Sequence, residues 1–147
     1  MELAEEIYES IQSFCNDGDV ALEDDDLHKA YQSYMKAWEL IPEPKTDWEA
    51  STWVLGALAD VYFFNENFSA LKESLEYAMH CPNAIGNPFL HMRLGQAQLE
   101  LGNTEKAKDE LARALTGAGK DIFENDDPKY FNFIIQFMQP PEGQDSW

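Results

Sequence analysis

Three stretches of the chain share one spacing of small, apolar and turn-forming residues, and this repetition constrains the fold more than any other feature. Leu94-Gly95, Gly102-Asn103, Ala107, Leu111 and Ala114 read as a helix, a tight reversal and a second helix, with small residues where the two helices touch. Leu58-Ala59, Tyr62, Asn67-Phe68, Leu71, Leu75 and Ala78 follow the same spacing, as do Asp26-Leu27, Ala30, Tyr34, Ala37 and Pro42. One such hairpin cannot bury its apolar face alone, so neighbours must stack. The expected fold class is all-α, a solenoid of helical hairpins, an architecture that presents extended surfaces to other proteins.

A chain of 147 residues can bury a core as one domain, expected over residues 1–139 with an extended tail over 140–147. Charge is the outlier: 28 acids stand against 10 bases, a net −18. That field repels phosphates, which disfavours nucleic acid and anionic membrane as partners. It favours one basic protein partner, captured quickly and in a salt-sensitive way; solubility alone is the other reading. Cys15 and Cys81 have no motif around them and read as small buried apolar residues. The acidic opening, Met1-Glu2-Leu3-Ala4-Glu5-Glu6, lacks the layout of a signal peptide. No apolar run approaches the roughly 20 residues of a membrane helix. A cytoplasmic protein is expected.

Helix boundaries follow from caps and breakers. A first helix is expected from about Leu3 to Cys15 on the stripe Ile7, Ile11, Phe14, with Asn16-Asp17-Gly18-Asp19 ending or interrupting it. Asp26 caps a helix to Leu40, stopped by Pro42 and Pro44. Thr46-Asp47-Trp48-Glu49 has the form of a capping box for a helix to Phe64. Asn67 caps the next, which ends before Pro82. Asn87-Pro88 opens a helix to Leu101, and Asn103 caps one to Thr116, with Gly117 and Gly119 for its C-cap. Asp127-Pro128 opens a terminal helix whose stripe is Phe131, Ile134, Ile135 and Met138, flanked by Phe137 and suited to covering the last face. No strand pattern is present.

This arrangement resembles the tetratricopeptide repeat family. Leu94, Gly95, Gly102, Ala107, Leu111 and Ala114 match its motif best, and Ala30, Tyr34, Ala37 and Pro42 match the second half of an earlier repeat. Leu71 stands where a small alanine is usual, which predicts wider helix spacing in the middle repeat. The first repeat reads as having an irregular opening helix and an acidic insertion. The alanine-position residues 30, 71 and 107 lie 41 and 36 apart, against a usual period of about 34, so long inter-repeat loops are expected. The resemblance covers residues 3 to 116 and implies about three repeats plus a C-terminal capping helix. The chain also resembles, in its acidity, its Glu-Asn-Asp-Asp-Pro-Lys-Tyr segment and its Pro-Pro-Glu-Gly tail, the small bacterial repeat proteins that serve as immunity factors for polymorphic toxins.

In the repeat family the first helix of each hairpin lines a groove. With Leu58 and Tyr62 on the packed face, helical spacing sends Trp53, Asp60, Phe63 and Phe64 there, and Phe89, Gln96 and Glu100 with Arg93 in the next hairpin. Aromatic rings among acids suit a basic peptide or loop; packing into the core is the alternative for each ring. Arg93 either pairs with Asp60 or Glu100 or grips a partner's carboxylate, an intramolecular pair being the plainer reading.

Catalytic signatures are absent; a dyad of Cys15 or Cys81 with a distant histidine stays as an alternative that has no local signature. Glu23-Asp24-Asp25-Asp26 lacks the glycine and closing glutamate of a calcium loop and reads as a solvated loop ending in a cap, or as a lure for a basic partner. His28, His80 and His91 are scattered, and no nucleophile elbow, Walker loop or dinucleotide fingerprint occurs. No cofactor and no metal are expected. The expected role is non-enzymatic: an immunity protein neutralising a basic toxin, or a chaperone or adaptor holding a peptide in the groove, or a self-associating structural protein. Monomer and dimer both remain open.

Overall fold

In the computed structural model, which describes residues 3–147, the chain is all helix and loop, with no strand among those residues. The helices are α1 (Glu5–Glu23), α2 (Leu27–Leu40), α3 (Glu49–Phe64), α4 (Phe68–Ala78), α5 (Pro88–Glu100), α6 (Thr104–Ala118) and α7 (Pro128–Ile135). Two compact units divide at residue 85: Met1–Ile85 holds the hairpins α1–α2 and α3–α4, and Gly86–Trp147 holds α5–α6 and α7. Met1 and Glu2, the start of the acidic opening, lie outside the described residues.

The three hairpin turns are one structure used three times. Asp25 (φ 59°), Glu66 (φ 56°) and Gly102 (φ 85°) each adopt the left-handed conformation just past a helix end. The next amide then reaches back to cap that helix: Asp26 N donates to Ala21 O at 2.8 Å, Asn67 N to Tyr62 O at 2.9 Å and Asn103 N to Gln98 O at 2.8 Å. This is a Schellman closure, which satisfies carbonyls the helix end leaves free. Asp26 and Asn67 then cap the following helix, accepting from Lys29 N and Ala70 N. Asn103 stands at the same place but does not cap as expected; its amide donates to Gln98 Oε1 at 2.7 Å instead.

Each hairpin is drawn together at a second repeated point. A Cβ on Gly18 would lie 2.4 Å from Tyr34 Cε1, and one on Gly95 would lie 2.6 Å from Leu111 Cγ. Both glycines therefore let a large side chain of the second helix lie against first-helix backbone. In the middle hairpin the corresponding pair is Ala59 and Leu75, both fully buried. There Leu71 stands in the place of the alanines Ala30 and Ala107 and is fully buried.

This repetition corrects the reading of the N-terminus. Asn16-Asp17-Gly18-Asp19 does not interrupt the first helix; α1 continues to Glu23. Gly18 is buried against the Tyr34 ring, and Asp19 accepts the Tyr34 hydroxyl hydrogen bond at 2.5 Å. The acidic stretch is no insertion either, because Asp25-Asp26 fills the two turn places that Gly102-Asn103 fills later. The longer spacing falls between hairpins, in residues 41–48 and 79–87.

The capping box is also absent. Lys45–Asp47 forms a short 3-10 turn that absorbs Thr46, and α3 starts after Trp48, whose backbone is extended. Ser51 Oγ donates to Lys45 O at 2.6 Å and Trp48 Nε1 to Pro42 O at 2.9 Å, fixing the entry to α3. Lys45 Nζ in turn caps the end of α2, donating to Trp38 O and Ile41 O.

Farther on, Asn87 accepts from Phe89 N and Leu90 N, with Pro88 in the first turn. Gly119 (φ 80°) ends α6, whereas Gly117 lies within it, against Pro88. α7 is shorter than its apolar stripe suggests; Ile134 and Tyr130 are its buried residues. After it, Gln144 N bonds to Pro141 O and the Trp147 ring stands edge-on to Phe131. Cys15 and Cys81 are free; Cys81 is buried and Cys15 half-buried, and burial pushes the Cys15 thiol up to about 11, with Asp19 adding to it.

Two consequences follow for stability. Gly18→Ala and Gly95→Ala should each lose about 1–3 kcal/mol through overpacking, while Glu66→Gly should gain about 0.5–1 kcal/mol by relieving the left-handed residue, all read from urea unfolding midpoints. Burial, then the bond to Asp19, raises the Tyr34 pKa above its ordinary 10.0. The folded state thus keeps a proton that the unfolded state releases, so stability is intact below about pH 10 and falls above it. Tyr34→Phe should make that alkaline fall shallower in unfolding series between pH 8 and 11.

Candidate functional site

The eight groove candidates divide equally between the two units, so each set is taken within its own. In Met1–Ile85, α3 carries Trp53, Asp60, Phe63 and Phe64. Leu58, Ala59 and Val54 bury the opposite side of the helix, which leaves Trp53 at 43% and Phe64 at 52% exposure. Trp53 stands edge-on to Tyr8 of α1 at 5.8 Å. Phe63 is half-buried and joins Phe64 (5.6 Å) to Phe68 of α4 (6.3 Å) at the hairpin end. Asp60 is half-buried, and its charge adds to the upward push on the Tyr34 phenol. The exposed rings and the carboxylate thus lie along one helix face that the α3–α4 hairpin does not close.

In Gly86–Trp147 the same register falls on α5, and there the chain itself covers it. Arg93 and Gln96 are buried. Arg93 donates to Gln96 Oε1 at 2.8 Å and to Asp126 Oδ2 at 3.0 Å, and Gln96 Nε2 donates to the same Asp126 oxygen at 2.8 Å. The guanidinium lies 5.2 Å from the half-buried Phe89 ring. Glu100 accepts from the Tyr130 hydroxyl at 2.9 Å and pairs with Lys129 Nζ. Arg93, Gln96 and Glu100 thus hold residues 126–130, and Phe89 stands against the Arg93 guanidinium. Arg93 does form an ion pair within the chain, with Asp126 as a partner. A buried guanidinium requires such a partner, because an uncompensated buried charge is costly.

Several residues of this second cluster escaped the sequence reading. Asp126 lies 33 positions from Arg93, and no periodic signal connects them. Tyr130 is buried on α7 beside the expected stripe, and burial followed by the Glu100 bond raises its pKa. Phe123 is buried in a short 3-10 turn, Lys120–Phe123, and faces Phe131. His91 is buried, with Nε2 accepting from Gly86 N at 2.8 Å and Nδ1 paired with Glu110. A ring nitrogen that accepts a backbone amide carries no proton, so Nδ1 is the donor. His91 therefore ties α5 to α6.

Among the described residues, no three of His, Cys, Asp and Glu converge as a metal site. Among them also, no helix is long and apolar enough to cross a membrane.

No protein-family model matches the sequence, and no curated protein matches it. Solved structures do. The C-terminal TPR-containing domain of an FK506-binding protein of Plasmodium falciparum superposes with a TM-score of 0.71 at 16% identity, covering 92% of this chain and 90% of that one. The first TPR domain of human RPAP3 gives 0.66 at 16% identity, covering 86% and 94%. With the hairpins and their repeated turns, these likenesses establish the fold: all-α, built of tetratricopeptide-like helical hairpins.

Proposed function

We propose that this chain is a non-enzymatic protein-binding module whose α3 face receives a basic protein partner, and that its role is neutralisation of that partner, as an immunity protein does to a toxin. The observation that carries this reading is the exposure of Trp53 and Phe64 beside Asp60 on a first helix, in a chain of net charge −18. Apolar rings exposed to water gain by further burial, and a cationic surface is drawn both to ring faces and to acids. The covered register on α5 supports the same chemistry: there Glu100 takes up a lysine and a tyrosine, Lys129 and Tyr130, from the chain itself. A basic toxin acting on phosphates would be drawn to an acidic inhibitor by the same field that draws it to its substrate.

One observation favours a second reading, that of an adaptor or chaperone. Residues 124–127 form no helix, yet Asp126 is gripped by Arg93 and Gln96, so one first-helix face already holds a short stretch of non-helical chain.

Affinity purification from the native lysate, washed at low and high salt, should return one stoichiometric basic protein that weakens at high salt. Trp53→Ala, Phe64→Ala and Asp60→Asn together should cut its affinity at least about tenfold and release its activity from inhibition. A short peptide of the partner binding as tightly as the folded protein would favour the adaptor. Recovery of the protein alone, with self-association on sedimentation, would favour a structural role. Unchanged affinity in the triple variant would remove the α3 face as the site.

A further inference from the structure

Within Met1–Ile85 an open cleft of about 530 Å³ lies between the start of α1 and the start of α3, lined by Leu3, Glu5, Tyr8, Trp48, Glu49 and Trp53, with Ala50 beside them. That volume is within the range of about 300–1,000 Å³ in which small ligand groups are bound. We infer that this cleft is a seat for an arginine side chain of the basic protein partner.

Three aromatic rings and two carboxylates line it. Tyr8 and Trp53 meet edge to face, their planes 72° apart, so they present two walls at a steep angle. The Trp48 indole is fixed independently, since its Nε1 donates to Pro42 O. Glu5 and Glu49 are exposed at the rim. They stand in the first turns of α1 and α3, so the positive helix ends offset part of their charge. None of the described residues lining the cleft is a lysine or arginine.

A cation is drawn to ring faces by their quadrupole and to the rim by the carboxylates. A flat guanidinium answers both demands, because it stacks on an aromatic face while its N–H fork engages a carboxylate. An ammonium is a compact, strongly hydrated point charge and uses the flat walls less well. An anionic group is repelled by both glutamates, and a purely apolar group leaves the rim charges without a counterpart.

This inference rests on the protein-binding reading, but it is testable on the isolated chain. The probe is acetyl-Gly-Arg-Gly-amide, titrated while following the assigned indole N–H resonances of Trp48 and Trp53. Saturable shifts at both indoles are expected, with the citrulline peptide, which keeps the shape and loses the charge, at least fivefold weaker. Glu5→Gln with Glu49→Gln keeps every ring, and should weaken the arginine peptide about fivefold; far-UV circular dichroism checks the fold of this variant. Absence of saturable shifts, or equal binding of the citrulline peptide, would overturn the inference. The two readings separate on the captured partner: if the double glutamine variant binds that protein as the wild type does, the arginine seat falls and the binding role stands. If no partner is captured, the binding role falls whatever the peptide does.

Discussion

The structure depends on how closely the two helices of each hairpin approach. Glycine at 18 and 95 removes, and alanine at 59 reduces to a methyl, the side chain that would hold the helices apart, and Tyr34, Leu111 and Leu75 fill the space. Close approach needs a reversal that brings the second helix back at once. The left-handed residues Asp25, Glu66 and Gly102 provide it, and each closure ends in the same backbone hydrogen bond. Only Gly102 takes up that conformation without steric cost. The energy lost at Asp25 and Glu66 is offset by buried neighbours such as Ala30, Leu71 and Leu75.

This packing decides where function can reside. With the second helices committed to the hairpin interior, the opposite faces of the first helices are what the hairpins leave uncovered. On α5 the chain answers with its own residues 126–130, and the answer is polar: a carboxylate between Arg93 and Gln96, a lysine and a phenol on Glu100. On α3 the same register carries rings and an acid, with Trp53 and Phe64 exposed. One repeated frame thus yields two first-helix faces of different chemistry.

Much of this was legible in the sequence because caps are local. Asp26, Asn67, Asn87 and Asp127 each accept the amide hydrogen bonds their positions predict. Gly18 was misjudged because a glycine beside Asn and Asp looks like a turn, while the same residue at 95, set between Leu94 and Gln96, looks like a packing point. The signal that separates them was present: Gly18 precedes Ala59 by the same 41 residues that part Ala30 from Leu71. Thr46 was misjudged for a different reason, since a 3-10 turn and a helix start share their residues. The Arg93–Asp126 pair was not legible at all, because it joins a helix to a loop through tertiary folding alone.

The central claim is that the face of α3 on which Trp53 and Phe64 are exposed is where a partner sits. Hydroxyl-radical footprinting of the chain, free and in complex with its captured partner, tests it most directly, because oxidation of aromatic rings reports their exposure residue by residue. Protection of Trp53 and Phe64 in the complex, with Tyr77 on the exposed side of α4 oxidised as before, is the predicted result. Unchanged oxidation of Trp53 and Phe64, with protection appearing at Tyr77 or Phe137, would contradict the account.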